Sequence, residues 1–195
     1  MEKILKGHDE LVAEALKCSL CAHALPHKPN PIFSTAPLTK ILIIGQAPGL
    51  KAHESGVAFD DASGDRLRSW LSVSKAVFYN PKCISILPMG FCFPGYKHGA
   101  DAPPRKECAP AWHHRFITYL KPSITIYVGR YAQQFYLPNH KTLTDAVKTT
   151  FTSPEHYFVL PHPSGRNNRW LAKNTWFETE GLPILQNEVF TALHN

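Results

Sequence analysis

The 195-residue sequence has no apolar stretch of membrane-spanning length: unbroken runs such as Ile41–Ile44 reach four residues, where about 20 are needed. Charged residues are scarce at 18% and hydrophobic residues reach 44%, a balance that excludes a disordered tail and predicts a packed core. Internal repeats and low-complexity tracts are absent. Neither Gly-x-Gly-x-x-Gly nor a P-loop occurs, which removes the usual fingerprints of dinucleotide and nucleoside triphosphate binding. The N-terminal Met1-Glu2-Lys3-Ile4-Leu5-Lys6 carries no apolar leader core, so the expected location is cytoplasmic, with no membrane and no obligate protein partner in view. Acidic residues are the minority charge, 15 against 21 Lys and Arg, and the net charge of +6 favours polyanionic partners.

Apolar Leu5, Leu11, Val12, Ala15 and Leu16 fall at near-helical spacing and predict a first helix over residues 2–17. Pro26, Pro29, Pro31 and Pro37 then enforce an extended connector. Four short apolar runs, Ile41–Ile44, Cys83–Leu87, Ile124–Val128 and Tyr157–Leu160, alternate with helical patterns over 64–71, 111–120, 130–137, 143–147 and 182–193. Such alternation predicts a single α/β unit over residues 1–195. Its four-stranded, mostly parallel sheet is flanked by helices in three α/β/α layers, with residues 1–37 packed on it. Ligands of open parallel sheets bind beyond the carboxyl ends of the strands, which directs attention to the loops over 45–56, 88–104 and 161–170.

Those loops hold the residues with chemical character. Gly45-Gln46-Ala47-Pro48-Gly49 brings backbone close to whatever occupies the site, and Gln46 both donates and accepts. In Pro161-His162-Pro163-Ser164 the flanking prolines pre-aim the imidazole. Cys18 and Cys21 form a Cys-x-x-Cys, and with Cys92 and Cys108 they supply four thiolates for either a [4Fe–4S] cluster or a structural Zn²⁺. Cys83 lies in an apolar run and reads as a small hydrophobe.

Taken in order, Gly45-Gln46-Ala47-Pro48-Gly49, Glu54, Gly56, Phe59, Gly64 and His162-Pro163-Ser164 resemble the signature loops of the uracil-DNA glycosylase superfamily. With the four cysteines, the chain resembles the iron–sulfur branch, family 4, from about Cys18 to about Trp170. The resemblance implies excision of uracil or a related deaminated base from DNA by hydrolysis of the N-glycosidic bond. It also implies a [4Fe–4S] cluster on Cys18, Cys21, Cys92 and Cys108, remote from the cleavage. His162 then donates to the departing base at O2, Gln46 handles water, and Phe59 stacks on the flipped base. Gly45, Ala47, Ser164 and Asn167 are expected to contact the base, with Arg166, Arg169 and Lys97 on the DNA.

Two departures stand out. Family 4 enzymes have an acidic residue where Gln46 stands, and other uracil-DNA glycosylases have aspartate where Ala47 stands. An amide orients water but takes no proton, which leaves Glu54, Asp60, Asp61 and Asp101 as replacements if they face the site. The base-reading asparagine of the family is replaced by Pro88, which has no N–H and no amide. The same departures suit a DNA-binding or damage-recognition protein that keeps the fold without turnover.

Overall fold

Residues 2–152 and 156–195 are described in the computed structural model of the chain. Along it run α1 (Glu2–Leu16), β1 (Ile41–Ile44), α2 (Leu50–Ser55), α3 (Ala62–Leu71), α4 (Lys75–Phe78), β2 (Ile84–Ile86), β3 (Tyr96–Lys97) and β4 (Ala100–Asp101). There follow α5 (Cys108–Leu120), β5 (Ile124–Val128), α6 (Arg130–Tyr136), α7 (Leu143–Thr152), β6 (Tyr157–Leu160), α8 (Asn168–Lys173) and α9 (Leu182–His194).

Four strands pair in the order β2-β1-β5-β6, every neighbour parallel. All four residues of β1 are buried, because both faces of a central parallel strand are covered by helices. Ile41 and Ile43 join Ile84, Ile86, Ile126 and Val128 in one layer with Leu67 and Trp70 of α3, Phe151 of α7 and Leu185 of α9. Leu42 and Ile44 face the other way, onto Leu11 and Ala15 of α1, Trp112 and Phe116 of α5 and Ala132 of α6. The predicted three-layer α/β architecture is therefore present, with period-2 alternation dividing a wholly apolar run between two cores.

The connector after α1 completes the sheet edge. Ser34 and Ile86 exchange backbone hydrogen bonds of 2.9 and 2.6 Å, so the outer edge of β2 is covered. Helix α1 docks on α5 through buried Leu11 and Ala15, and Arg115 grips the Glu14 carboxylate with both terminal nitrogens at the exposed rim. Among the described residues no helix is long and apolar enough to cross a membrane.

Strand order reverses between β1 and β5: the chain goes outward from β1 to β2, then crosses back past β1 to β5. At that reversal the loops beyond the two carboxyl ends diverge and leave a crevice, the ordinary ligand position in open α/β sheets. Gly45 and Gly129 end the two strands that border it.

Three short helices, α2, α4 and α8, and the β3–β4 hairpin were not expected from apolar periodicity. Each is too short or too polar to carry a period. The hairpin turns on His98 and Gly99, both at positive φ (51° and 69°), the turn geometry that suits the twist of paired strands. The second strand is shorter than the apolar run that announced it, and Cys83 sits just before it, half-buried.

Candidate active site

Gln46, Phe59 and His162, which belong to three separate segments, line one cavity at the switch point. Gly45, Ala47, Pro88 and Ser164 share its wall.

The loop after β1 is stitched to the loop after β2. The carbonyls of Gly45 and Gln46 accept from the Met89 and Gly90 N–H groups at 3.0 and 2.9 Å. The Gln46 side chain turns toward the end of β5: a Cβ on Gly129 would lie 2.9 Å from Gln46 Nε2 and 3.4 Å from His162 Cβ. Gly129 also sits at φ +84°, so glycine meets both a steric and a backbone requirement there. The sequence reading passed over Gly129, although a glycine directly after the apolar run Ile124–Val128 was the available signal.

Phe59 is held in an unusual backbone conformation. Its φ is +57°, a region that costs a non-glycine residue about 1–3 kcal/mol and persists only where the surroundings impose it. The Phe59 carbonyl accepts from the Tyr79 hydroxyl at 3.0 Å and from an Arg68 guanidinium N–H at 3.4 Å. Gly64 leaves the space that this carbonyl occupies, since a Cβ there would stand 1.7 Å from Phe59 O. Asp61 caps α3 by accepting from the Gly64 N–H at 2.9 Å, and the Phe59 ring end packs over Gly45.

His162 is positioned from behind. The Ser164 N–H donates to His162 Nδ1 at 3.3 Å, which leaves the ring proton of the neutral imidazole on Nε2. Burial pushes its pKa down to about 4, only partly offset by the charge of Asp61, so the ring is uncharged at pH 7. The Asn167 amide donates to the His162 carbonyl at 2.8 Å, bracing the histidine loop, and Asn167 is not among the residues that line the cavity.

Arg166 does line the cavity and donates to the Gly99 carbonyl at 2.8 Å, tying the β3–β4 hairpin across the mouth. Lys97 on that hairpin and Arg169 on α8 are exposed and lie outside the cavity wall. Of the four carboxylates named as replacements, Asp61 and Asp101 line the cavity, whereas Glu54 is exposed on α2 and Asp60 pairs with Lys75 at 3.7 Å.

Pro88 brings a support that the sequence did not reveal. His113 donates from Nε2 to the Pro88 carbonyl at 2.9 Å and accepts at Nδ1 from the Tyr136 hydroxyl at 2.6 Å. Tyr136 stacks on Tyr127 at 4.9 Å. Burial lowers the His113 pKa to about 4. The unfolded chain takes up this proton near pH 6.5, so the unfolded state binds more protons and stability falls as pH drops from 6.5 toward 4. The expected loss is on the order of 3 kcal/mol from this group. Urea unfolding at pH 7 and pH 5 checks it: His113→Gln should show a shallower pH slope than the unsubstituted protein, and an equal slope would remove the assignment.

The four cysteines expected as ligands, Cys18, Cys21, Cys92 and Cys108, border one second pocket with Arg105, and all five cysteines are free thiols. Burial pushes the Cys92 thiol up to about 11 and the Cys108 thiol up to about 12. The Phe91 N–H donates to Cys108 Sγ at 3.3 Å. Arg105 Nε is buried on this side of the fold without a hydrogen-bond partner. As the side chains stand, no group of three or more His, Cys, Asp or Glu among the described residues could hold a metal ion.

A parallel α/β sheet with its cavity at the switch point, walled by a neutral imidazole, an amide and a strained aromatic, defines a class of ligand-handling α/β proteins. Residues 33–186 match the family model described as the Uracil DNA glycosylase superfamily. The chain belongs to that superfamily, and the membership supports a DNA glycosylase-like function with DNA as the substrate. The match begins after Cys18 and Cys21, so it bears on the cavity and not on the N-terminal cysteine pair.

Proposed function

We propose that the protein excises uracil or another deaminated base from DNA by hydrolysing the N-glycosidic bond. The observation that carries this reading is the convergence of Gln46, Phe59 and His162 in one cavity. A base inside a duplex must be flipped out to be reached, and an aromatic wall holds it by stacking. Breaking the bond leaves positive charge on the sugar and negative charge on the base. The Nε2–H of His162 supplies a donor for that anion, and a neutral ring does so without surrendering its proton. Gln46 orients water, while Arg166 at the mouth and exposed Arg169 and Lys97 meet phosphates.

The test is an assay of abasic product from oligonucleotides that carry uracil, hypoxanthine or xanthine, in single and double strands. Product from at least one is expected. The second reading, salt-dependent DNA binding without turnover, is favoured by Gln46, Ala47 and Pro88 on the cavity wall. Binding with no product from any substrate would establish it and end the glycosylase reading.

We also propose that Cys18, Cys21, Cys92 and Cys108 hold a [4Fe–4S] cluster, the alternative being a structural Zn²⁺. Four free thiols on one pocket, a backbone N–H already directed at a sulfur and the unpartnered Arg105 Nε suit a sulfide-rich group with spare acceptors. Such a cluster, when bound, supplies cross-linking chemistry and ties the end of α1 to the loop before α5. Protein purified without oxygen should be brown, and Cys92→Ser should lose both the colour and several degrees of Tm. A colourless protein containing zinc would select the alternative, and one with neither metal would overturn both.

A further inference from the structure

We propose that Asp101, carried across the cavity mouth by the β3–β4 hairpin, is a catalytic carboxylate of this site and takes the proton of the attacking water that Gln46 cannot take. This assignment rests on the glycosylase reading. The loop over 45–49 presents an amide and a methyl group, neither of which takes a proton, so on the glycosylase reading a proton acceptor for water comes from another segment of the wall. Asp61 and Asp101 are the carboxylates on its wall. Asp61 is already committed, with one oxygen capping α3.

Asp101 is placed for the task. Its Oδ2 stands 3.6 Å from the position of a Cβ on Gly49, directly over the far end of the loop that Gln46 begins. Among the described residues its carboxylate makes no hydrogen bond and no ion pair within 4.0 Å, and the residue as a whole is exposed. The hairpin is anchored on both sides: Arg166 donates to Gly99 O at 2.8 Å, and the Ala102 N–H donates to Gly95 O at 2.8 Å. Tyr96, paired in register with Asp101, lines the same cavity.

The charged groups that act on Asp101 are Arg166, which favours its ionised form, and Asp61, which opposes it. Desolvation by the wall outweighs Arg166 and raises the carboxyl from its ordinary value. A base whose pKa approaches the working pH accepts protons better in the transition state. The steps balance. The water oxygen bonds to C1′, the C1′–N electron pair leaves with the base toward His162 Nε2–H, and the water proton passes to Asp101 and then to solvent at the mouth.

The experiment is single-turnover kinetics of Asp101→Asn, Asp101→Glu and Asp61→Asn on a base that the unsubstituted protein releases, with DNA affinity and Tm measured alongside. Asp101→Asn should lose about 100-fold or more in rate and lose the acidic limb of the pH profile, while DNA affinity holds or tightens. Asp101→Glu should recover part of the rate. Asp101→Asn within about threefold of the unsubstituted rate, or an acidic limb that vanishes only in Asp61→Asn, would overturn the assignment. An unsubstituted protein that releases no base would instead overturn the glycosylase reading, which separates the two failures.

Discussion

His162→Ala is expected to slow base release about 10²–10³-fold, equivalent to about 2.7–4 kcal/mol of barrier, with DNA affinity and Tm close to the unsubstituted values. The Ser164 N–H and the two flanking prolines orient the ring before substrate arrives, so its donor needs no reorganisation at the moment of bond breaking. The ring is half-buried on the cavity wall, so measuring Tm beside the rate separates a kinetic loss from a folding loss. Because burial holds its pKa to about 4, no inflection of the rate near pH 6.5 should trace to His162. An inflection there that His162→Gln abolishes would show an imidazolium at work in place of the neutral donor. Comparable losses of rate and of folding stability would mean that the ring packs and does not react.

Gly64→Ala should be the most damaging single added methyl behind the cavity wall, where α3 passes the Phe59 carbonyl. The added Cβ would lie 1.7 Å from Phe59 O and 2.7 Å from Phe59 C, both backbone atoms that no rotamer change can move aside. Either α3 shifts or Phe59 leaves its left-handed conformation, and with it the hydrogen bonds from Tyr79 and Arg68. Destabilisation above about 3 kcal/mol is expected, together with loss of activity as the stacking ring moves. Gly56→Ala is the control: it has φ +73° but open space within 4 Å, so its cost should stay near the about 1–2 kcal/mol of a left-handed alanine. Urea midpoints for the two variants decide the matter, and equal losses would mean that the Phe59 carbonyl is not pinned.

How much of this was legible differs from residue to residue. Phe59 could be matched by its place after Gln46, but the reason it stands at φ +57° lies in Tyr79, Arg68 and Gly64, whose contacts span up to twenty positions. Asn167 illustrates the opposite case. Its type and position suited a base contact, yet its amide bonds to the His162 carbonyl five residues earlier, a local competition for the same donor. His113 carried no signal at all, since a histidine in an amphipathic helix announces its partners only when Pro88 and Tyr136 are brought to its two nitrogens.

Local rules settled the elements of this protein. Short β-branched runs bounded by glycine, alternating with helical periods, define a buried parallel sheet, because both depend only on side chains a few positions apart. The order of the glycine- and proline-held loops likewise names the family before any coordinate is known. Which loops meet was decided by the crossing of the chain between β1 and β5, which sets Gln46 against Gly129 and His162. The folded chain likewise places Asp61 and Asp101, and not Glu54 or Asp60, on the cavity wall. A carboxylate's value to a reaction depends on its distance and dielectric surroundings, and those are properties of the folded chain.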